Sequence, residues 1–500
     1  MNFPVSTPHD HREGKRTLWI IAVATVVALC AISGRSFWID EALTSWKAHT
    51  PTLRAWWQGM AGERASDLQM PLYMFYIWGW EKIFGPGEWA LRLANAPWFV
   101  LGVVLFHRAF ARTLGWWPGL VALCSAFVWY YLDEARPYAM QIGASLAVVA
   151  ALWRLGEGAD PRRERRWVWI LCAGVVALAG SSMLAMIFCG AFLAASLFAA
   201  GWARAWTWFR AHWGCWLSML LVCLGLGIYY LWTLQHGARG TSAGKTDLRN
   251  ILFVSYELFG FGGLGPGRLD LRAGGPGVFY AHLPWLVPYA ALVLLASVTG
   301  WRRWTGSVRA RTLLSWGLIV GGATVFLFAV GFRSQFRVLG RHFTPLLPLV
   351  CLLLGGGVSA LIERRGWRRA AAILMLVLSI VSALELRLAG RHEKDAYRQA
   401  AALARAALGR GESVWWSAEP RGAEVYQLLI STHATETARA WLVINPARGF
   451  ADSLPPPDWL VVSKPDLYDT SGAISDYAAR AGYRKELSLP AFVIWRKQRL

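Results

Sequence analysis

The fold is decided by residues 17–42, which read TLWIIAVATVVALCAISGRSFWIDEA. The stretch begins with an apolar run about long enough to span a bilayer as a helix. An aromatic pair and then two adjacent carboxylates, Asp40 and Glu41, follow the end of that run. Charged side chains at a membrane boundary are costly unless they serve a site or a pathway. This stretch therefore predicts a membrane protein with acid chemistry at the border between lipid and water.

The composition extends this interpretation to most of the chain. Apolar and aromatic residues make up 56% of the 500 residues and charged residues only 16%, against about 25% in soluble domains. The formal net charge is +21, but the lysines and arginines lie between the apolar blocks and not on one polar domain. Cationic loops of a multi-pass membrane protein explain this pattern, and no nucleic-acid partner is expected. The seven cysteines lie in apolar blocks without metal-ligand spacing, which indicates packing residues.

Eleven apolar segments are candidates for membrane-spanning helices. They cover residues 17–33, 90–112, 116–131, 138–155, 167–180, 181–202, 214–234, 284–300, 312–331, 345–362 and 370–388. Arginine clusters fall on alternate connections, at 154–166, 302–311 and 364–369. By the positive-inside rule these connections are cytoplasmic, and so is the amino terminus, residues 1–16. A cleaved signal peptide is the alternative for the first segment, but no convincing small-residue cleavage site follows it.

The opposite side of the membrane is predicted to carry two long loops and a small domain. Residues 34–89 are too polar for one span and rich in tryptophan, so short helices lying in the interface are expected. Residues 235–283 are rich in glycine without the pattern of a phosphate-binding loop, which favours a flexible lid. From 390 to 500 helix and strand patterns alternate, which predicts a periplasmic α/β domain after a transmembrane part at 17–389.

Three charged clusters fall on that side of the membrane. They are Asp40-Glu41, Asp133-Glu134-Ala135-Arg136, and the segment from Arg333 to His342. Together they suit a transfer from a phosphate-linked donor, because a carboxylate can deprotonate an acceptor hydroxyl while cations hold the departing phosphate. Each cluster also has a purely structural explanation. The structural alternatives are a solvated helix start for Asp40-Glu41, a cap for the helix opening at Pro137 for Asp133-Glu134, an ion pair with Glu134 for Arg136, and lipid headgroups for Arg341-His342.

At this point the sequence resembles a known family. Residues 38–42, Trp-Ile-Asp-Glu-Ala, are similar to the signature in the first external loop of GT-C glycosyltransferases. The branch is the one that contains protein O-mannosyltransferases and lipid A aminoarabinose transferases. Four further segments agree in order, namely Pro71 to Leu93, Tyr131 to Tyr138, Arg341 to Pro348 and Asp395 to Arg398. One departure is Gln69-Met70 before Pro71, where a lysine that would help to hold phosphate is missing and Arg92, Arg136 or Arg341 would substitute.

The resemblance implies an all-α membrane fold of the GT-C type with a small C-terminal α/β domain. It implies transfer of a hexose or pentose, as in mannosyltransferases, from a polyprenyl-phosphate carrier to a hydroxyl of an envelope glycan, lipid or protein, with inversion at the anomeric carbon. Asp40 is then the catalytic base, and Glu41 either supports it or binds a metal. The residues expected to bind substrate are Asp133, Glu134, Arg136, Tyr138, Arg92, Tyr73, Arg341 and His342. A divalent cation, Mg²⁺ or Mn²⁺, is expected at Asp40 and Glu134.

An enzyme of the bacterial inner membrane, in contact with membrane lipids, is the resulting prediction. A transporter or flippase for a lipid-linked or glycan substrate is the alternative. It predicts charged residues at span centres and two repeated halves, whereas the polar clusters lie at span ends. A structural or assembly protein with a degenerate site is a third interpretation, and the intact Asp40-Glu41 pair argues against it.

Overall fold

The computed structural model describes residues 8–63, 65–158, 161–236, 246–334, 336–432, 439–447, 449–450 and 454–498. Several predicted segments fall partly outside this description. The amino terminus does so at residues 1–7, the first external loop at 64, the basic connection 154–166 at 159–160, the glycine-rich loop at 237–245, the cluster from Arg333 to His342 at 335, and the C-terminal domain at 433–438, 448, 451–453 and 499–500. The rest of the chain is mostly helical, with a small sheet near its end.

Helices occupy the apolar blocks, and short helices fill the first external loop, as the sequence predicts. The helices are α1 (Pro8–Ala31), α2 (Ile39–Ala48), α3 (Leu53–Glu63), α4 (Pro71–Phe84), α5 (Glu88–Leu93), α6 (Asn95–Leu114), α7 (Trp117–Cys124), α8 (Ala126–Leu132), α9 (Tyr138–Glu157), α10 (Pro161–Ser181), α11 (Met183–Ala200), α12 (Trp202–Ala211), α13 (Trp213–His236), α14 (Leu248–Leu258), α15 (Arg268–Gly274), α16 (Leu283–Ser307), α17 (Ala310–Arg333), α18 (Leu347–Ile362), α19 (Trp367–Leu388), α20 (Tyr397–Gly409), α21 (Pro420–Val425), α22 (Pro465–Tyr468) and α23 (Ala473–Arg480). Single 3₁₀ turns lie at Ser66–Gln69, Gly275–His282, Gly340–Leu346 and Gly390–His392.

Nine helical stretches in the described part of the chain are long and apolar enough to cross a membrane. They confirm the multi-pass fold, and two of the eleven predicted spans are not among them. The segment 116–131 is divided into α7 and α8 at Ser125, whose backbone is extended (φ −70°, ψ 118°). The segment 167–180 lies in α10, which starts with the charged run 162–166 and has a shorter apolar part. The count of eleven stays a prediction.

Close backbone contacts hold the centre of the helical bundle together. In a bilayer, helices associate through tight packing of small residues, because lipid tails are as apolar as the side chains. Helices α6 and α9 cross where Gly102 meets Gly143, and a Cβ atom on Gly102 would lie only 2.6 Å from the Gly143 Cα. Larger residues would push these helices apart. This crossing fixes α9, whose first residue borders the charged clusters.

The chain after α19 forms the small α/β domain that the sequence predicts. Its strands are β1 (Val414–Ser417), β2 (Ala440–Leu442), β3 (Trp459–Ser463), β4 (Tyr483–Leu489) and β5 (Phe492–Lys497). The sheet order is β2-β1-β3-β5-β4. The first three strands are parallel, while β5 runs antiparallel to β3 and β4. Helix α20 covers one face through buried alanines, which let it lie close to the sheet.

Candidate active site

The charged clusters converge at one end of the bundle, although they are far apart in sequence. Helix α2, the loop between α8 and α9, and the 3₁₀ turn at Gly340–Leu346 meet there. Arg341 Nη1 donates a hydrogen bond to Asp40 Oδ2 at 3.1 Å. The backbone N–H of Ala135 donates one to Glu41 Oε1 at 2.8 Å. The three clusters therefore form one site.

Glu41 lies at the centre of the site and is fully buried. Arg92 on α5 binds it with two donors, Nε and Nη2, each 2.8 Å from a carboxylate oxygen. Lys394 Nζ lies 3.3 Å from the same carboxylate. Burial acts to raise the pKa of Glu41, but the charges of Arg92 and Lys394 outweigh it and lower the pKa to about 2. A carboxylate held so firmly in its ionised form orients its neighbours and is a poor base at neutral pH.

Asp40 is the most exposed acid of the site. Its side chain is 27% exposed and that of its partner Arg341 is 26% exposed. It stands in the first turn of α2, next to Glu41 in sequence but with a different cation as partner. A carboxylate that is reached from solvent and has one hydrogen-bonded cation can accept a proton from a bound hydroxyl.

A buried ion triad of Arg136, Asp67 and Lys47 holds α2 in place. Arg136 Nη1 donates to Asp67 Oδ1 at 2.7 Å and to Thr44 Oγ1 at 2.9 Å. Lys47 Nζ donates to the other Asp67 oxygen at 2.6 Å. Arg136 thus pairs with Asp67 and not with Glu134, the partner that the structural alternative assumed. Sequence reasoning missed both Lys47 and Asp67. The polar run at 58–69, which lies within the first external loop, was a signal for Asp67 alone.

Asp133 joins the end of α1 to the site. Its two carboxylate oxygens accept hydrogen bonds from the backbone N–H of Ser33 at 2.6 Å and from Ser33 Oγ at 2.9 Å. Among the described residues no side chain caps α9, so neither Asp133 nor Glu134 has the capping role that was the alternative. Glu134 is buried, and its Oε1 has no hydrogen-bond partner among the described residues.

Three other predicted residues have different surroundings. Tyr138 begins α9, and its ring centroid lies 4.8 Å from that of Tyr131. Tyr73 on α4 is fully buried, with a hydroxyl that lacks a partner among the described residues. His342 Nδ1 accepts a hydrogen bond from the backbone N–H of Leu339 at 3.0 Å, so this imidazole closes its own 3₁₀ turn.

A partly open cavity borders the site. Five of its lining residues are aromatic, namely Phe127, Tyr130, Tyr131, Phe253 and Tyr256. Glu257 forms its polar end, where Arg268 Nη2 donates to Oε1 at 2.5 Å and the backbone N–H of Gly340 donates to Oε2 at 2.9 Å. Gly340 precedes Arg341, so Glu257 links the cavity to the segment that carries the cation bound to Asp40. Apolar walls with a few polar groups suit a ligand that is largely apolar.

The described part of the glycine-rich loop is anchored to α19 and the segment after it. Ser382 Oγ donates to the Gly260 carbonyl at 2.7 Å. Arg391 Nη2 donates to the Gly263 carbonyl at 2.8 Å. The loop therefore forms one wall of the aromatic cavity, and only its residues 237–245 lie outside the description.

The site offers a divalent cation no ready set of ligands. Within the described ranges, no group of three or more His, Cys, Asp or Glu could hold a metal ion. The carboxylates of Asp40 and Glu41 each have an arginine partner. The Asp40–Glu134 metal site therefore stays a prediction.

Glu134 is expected to make stability depend on pH. Burial is the main reason that its pKa is raised to about 7, and Lys394 and Arg268 offset only part of that effect. Between its ordinary value near 4.5 and about 7, the folded protein keeps a proton that the unfolded chain releases, so stability falls as pH rises through this window. Glu134→Gln removes this loss, which amounts to roughly 3 kcal/mol at most.

The measurement is the apparent melting temperature of the purified protein in detergent at pH 5 and pH 8. The gain in melting temperature of Glu134→Gln over the wild type should be larger at pH 8. Glu363→Gln is the control, because the Glu363 side chain is 63% exposed, and it should show the same difference at both pH values. A Glu134→Gln effect that does not change with pH would contradict the assignment.

Comparisons with known proteins identify the fold. No protein-family model and no curated protein sequence matches the chain. Apo ArnT from Cupriavidus metallidurans, a lipid A aminoarabinose transferase, matches with a TM-score of 0.52 at 15% identity, over 96% of this chain and 98% of that one. ArnT bound to undecaprenyl phosphate matches with a TM-score of 0.51 at 14% identity, over 96% and 97%. An Archaeoglobus fulgidus oligosaccharyltransferase matches with a TM-score of 0.50 at 10% identity, over 93% and 71%.

Proposed function

We propose that this chain, whose fold is that of the GT-C glycosyltransferases, transfers a sugar from a polyprenyl-phosphate carrier to a hydroxyl of an envelope acceptor. The observation that carries the proposal is the part-exposed Asp40–Arg341 pair, which the Gly340–Glu257 hydrogen bond links to an aromatic cavity. Undecaprenyl phosphate bound to ArnT, a protein of the same fold, supports a carrier of this class. The sugar is a hexose or a pentose, and the acceptor is a glycan, a lipid or a protein.

In the proposed reaction Asp40 takes the proton of the acceptor hydroxyl. The acceptor oxygen attacks the anomeric carbon while the bond from that carbon to the phosphate oxygen breaks. The bonding electrons leave with the phosphate, which yields polyprenyl phosphate, and the proton passes from Asp40 to water. Attack opposite the leaving phosphate inverts the anomeric configuration. Negative charge grows on the phosphate, so a cation beside it stabilises the transition state.

Arg341 is the best-placed cation for the departing phosphate. Arg92 and Arg136 are buried, and each is bound to a carboxylate of its own, Glu41 and Asp67. Arg341 is part-exposed and follows Gly340, whose backbone N–H donates to Glu257 at the edge of the cavity. Among the three arginines that could replace the missing lysine, Arg341 alone combines exposure with a position next to Asp40.

The aromatic cavity would hold the first prenyl units of the carrier. Its rings provide an apolar wall of the kind that binds a lipid chain. The Arg268 guanidinium lies over the Tyr130 ring, 4.1 Å from its centroid, and adds a second cation near the phosphate. The site and the C-terminal domain would lie on the periplasmic face of the inner membrane, and the amino terminus in the cytoplasm. The arginine-rich connections support this orientation, because they lie opposite to the site and such connections are usually cytoplasmic.

Mass spectrometry of envelope glycans, from cells with and without the protein, tests the proposal. We expect one glycan, lipid or protein to lose a single hexose or pentose and the polyprenyl-phosphate form of that sugar to accumulate. Identical glycans in the two strains would reject the proposal. The loss of an entire glycan, with no truncated product, would favour the flippase alternative.

A further inference from the structure

The segment before Asp40 is held by the C-terminal domain. The backbone N–H of Phe37 donates to the Tyr426 hydroxyl at 2.9 Å. The backbone N–H of Arg398, at the start of α20, donates to Ser36 Oγ at 3.0 Å. Ile39, the first residue of α2, packs against the core of the domain. These contacts hold residues 36–39, which lead into α2, the helix that carries Asp40 and is called the catalytic helix below. The domain that holds them follows them by more than 350 residues.

The same tyrosine reaches a second part of the site. The Tyr426 hydroxyl donates to Glu88 Oε1 at 3.0 Å, and Arg398 Nη1 lies 3.1 Å from that oxygen. Glu88 is the first residue of α5, the helix that carries Arg92. One hydroxyl thus links the segment before Asp40 to the helix whose arginine binds Glu41. A hydrogen bond lost at this position loosens both.

Lys394 brings a positive charge from the domain side into the buried site. It follows α19 at the point where the chain enters the C-terminal domain, and its side chain is 9% exposed. Its Nζ lies 3.3 Å from Glu41 Oε2 and 3.5 Å from Asp133 Oδ2, and it donates to the Asp133 carbonyl. Arg92 alone would leave two buried carboxylates with one cation. Lys394 balances the second charge, which buried acids require.

The C-terminal domain also contacts the later part of the first external loop. The Arg421 guanidinium, on α21, lies over the Trp46 ring, 4.2 Å from its centroid. It also pairs with Glu63, the last residue of α3, at 3.1 Å. The domain therefore contacts α2 at its start and near its end.

We propose that the C-terminal domain is a clamp on the catalytic helix, with Tyr426 and Lys394 as positioning residues for the transfer. The clamp fixes the segment 36–41 and the charge around Glu41, and through them the direction of the Asp40 carboxylate. The catalytic part of this inference rests on the proposed function. The mechanical part stands on the contacts alone.

Hydrogen–deuterium exchange of the purified full chain in detergent tests the clamp without any substrate. Tyr426→Phe removes only one oxygen atom, so the fold survives. We expect exchange in peptides covering residues 36–41 to become about fivefold faster, because the Phe37 amide loses its acceptor. Exchange outside residues 36–41 and helix α5 should not change. Tyr280→Phe is the matched control, because Tyr280 is exposed, and it should leave these peptides as they are.

Kinetics in membrane vesicles test the positioning role, with the polyprenyl-phosphate form of the sugar that the glycan comparison identifies. Lys394→Met should lower kcat about tenfold with KM for the acceptor unchanged, since a misplacement of about 1 Å at the reacting groups can cost up to about 10²-fold in rate. Lys394→Arg should restore most of the lost kcat. Lys485→Met, exposed on β4, is the control and should act as wild type.

Each outcome decides a separate statement. Unchanged exchange at 36–41 in Tyr426→Phe overturns the clamp, whatever the activity. Faster exchange with wild-type kcat in both Tyr426→Phe and Lys394→Met overturns the positioning role. A wild-type protein without transferase activity would reject the proposed function, while the exchange result would still decide the clamp.

Discussion

Asp40→Asn is expected to abolish sugar transfer while the protein folds and inserts as wild type does. Asparagine has the same size and can still accept the hydrogen bond from Arg341, but it cannot take a proton from the acceptor hydroxyl. Loss of a general base typically lowers the rate by about 10²–10⁴-fold. The stability cost is below about 1 kcal/mol, because the pair with Arg341 is part-exposed and exposed pairs contribute little.

The measurement combines the initial rate of transfer with the amount of protein in the membrane. Asp466→Asn is the matched control, since Asp466 pairs with Arg272 at 2.6 Å but lies on the C-terminal domain with a side chain that is 57% exposed. It should transfer sugar at the wild-type rate. If Asp40→Asn keeps a rate within about threefold of wild type, well short of what a lost base costs, Asp40 is not the base.

Arg92→Met is expected to be the most destabilising single substitution in the site. The Arg92 guanidinium binds both oxygens of Glu41, and its Nη1 donates to the carbonyls of Ser33 and Arg35 at 2.8 and 2.7 Å. Methionine leaves a fully buried carboxylate with Lys394 as its remaining cation. Removal of one partner of a buried pair costs about 3–5 kcal/mol. The apparent melting temperature and the yield of folded protein measure this loss.

Arg341→Met is the matched control for that experiment. It replaces the arginine that pairs with Asp40, the acid next to Glu41 in sequence. Because the Arg341–Asp40 pair is part-exposed, the loss of stability should stay below about 1 kcal/mol. The double variant Arg92→Met, Glu41→Leu should recover part of the stability, because the uncompensated charge is gone. A double variant no more stable than Arg92→Met would show that the loss comes from the unpaired carbonyls and not from Glu41.

The ends of the membrane helices could be predicted from the sequence, and with them Asp40, Glu41, Arg136 and Arg341. Acids and arginines at span ends are visible in sequence because the apolar blocks delimit them. Their partners were not visible. Which cation binds which acid depends on how the helices pack, and Asp40 and Glu41, adjacent in sequence, take arginines that lie 301 and 51 residues away.

Other features left only weak signals. Lys394 directly precedes the family-like segment at Asp395, but a single lysine in a linker gives no sign of entering a buried site. The break at Ser125 was hidden, because residues on both sides of it are apolar and a serine within an apolar run is compatible with an unbroken helix. The role of Glu41 could be assigned only once its burial was known, since the sequence alone allowed a metal ligand, a supporting acid or a helix start.

The contact between Lys394 and Glu41 has a consequence for biosynthesis. These residues are 353 positions apart, so a nascent chain that has already inserted α1 and α2 still lacks the lysine and the domain behind it. Contacts so distant in sequence form late, after the intervening chain has been made. The segment that carries Asp40 and Glu41 thus reaches the membrane before Lys394 has been made, and a prematurely terminated product has the signature residues without a finished site. Translation through the C-terminal domain is what completes the site.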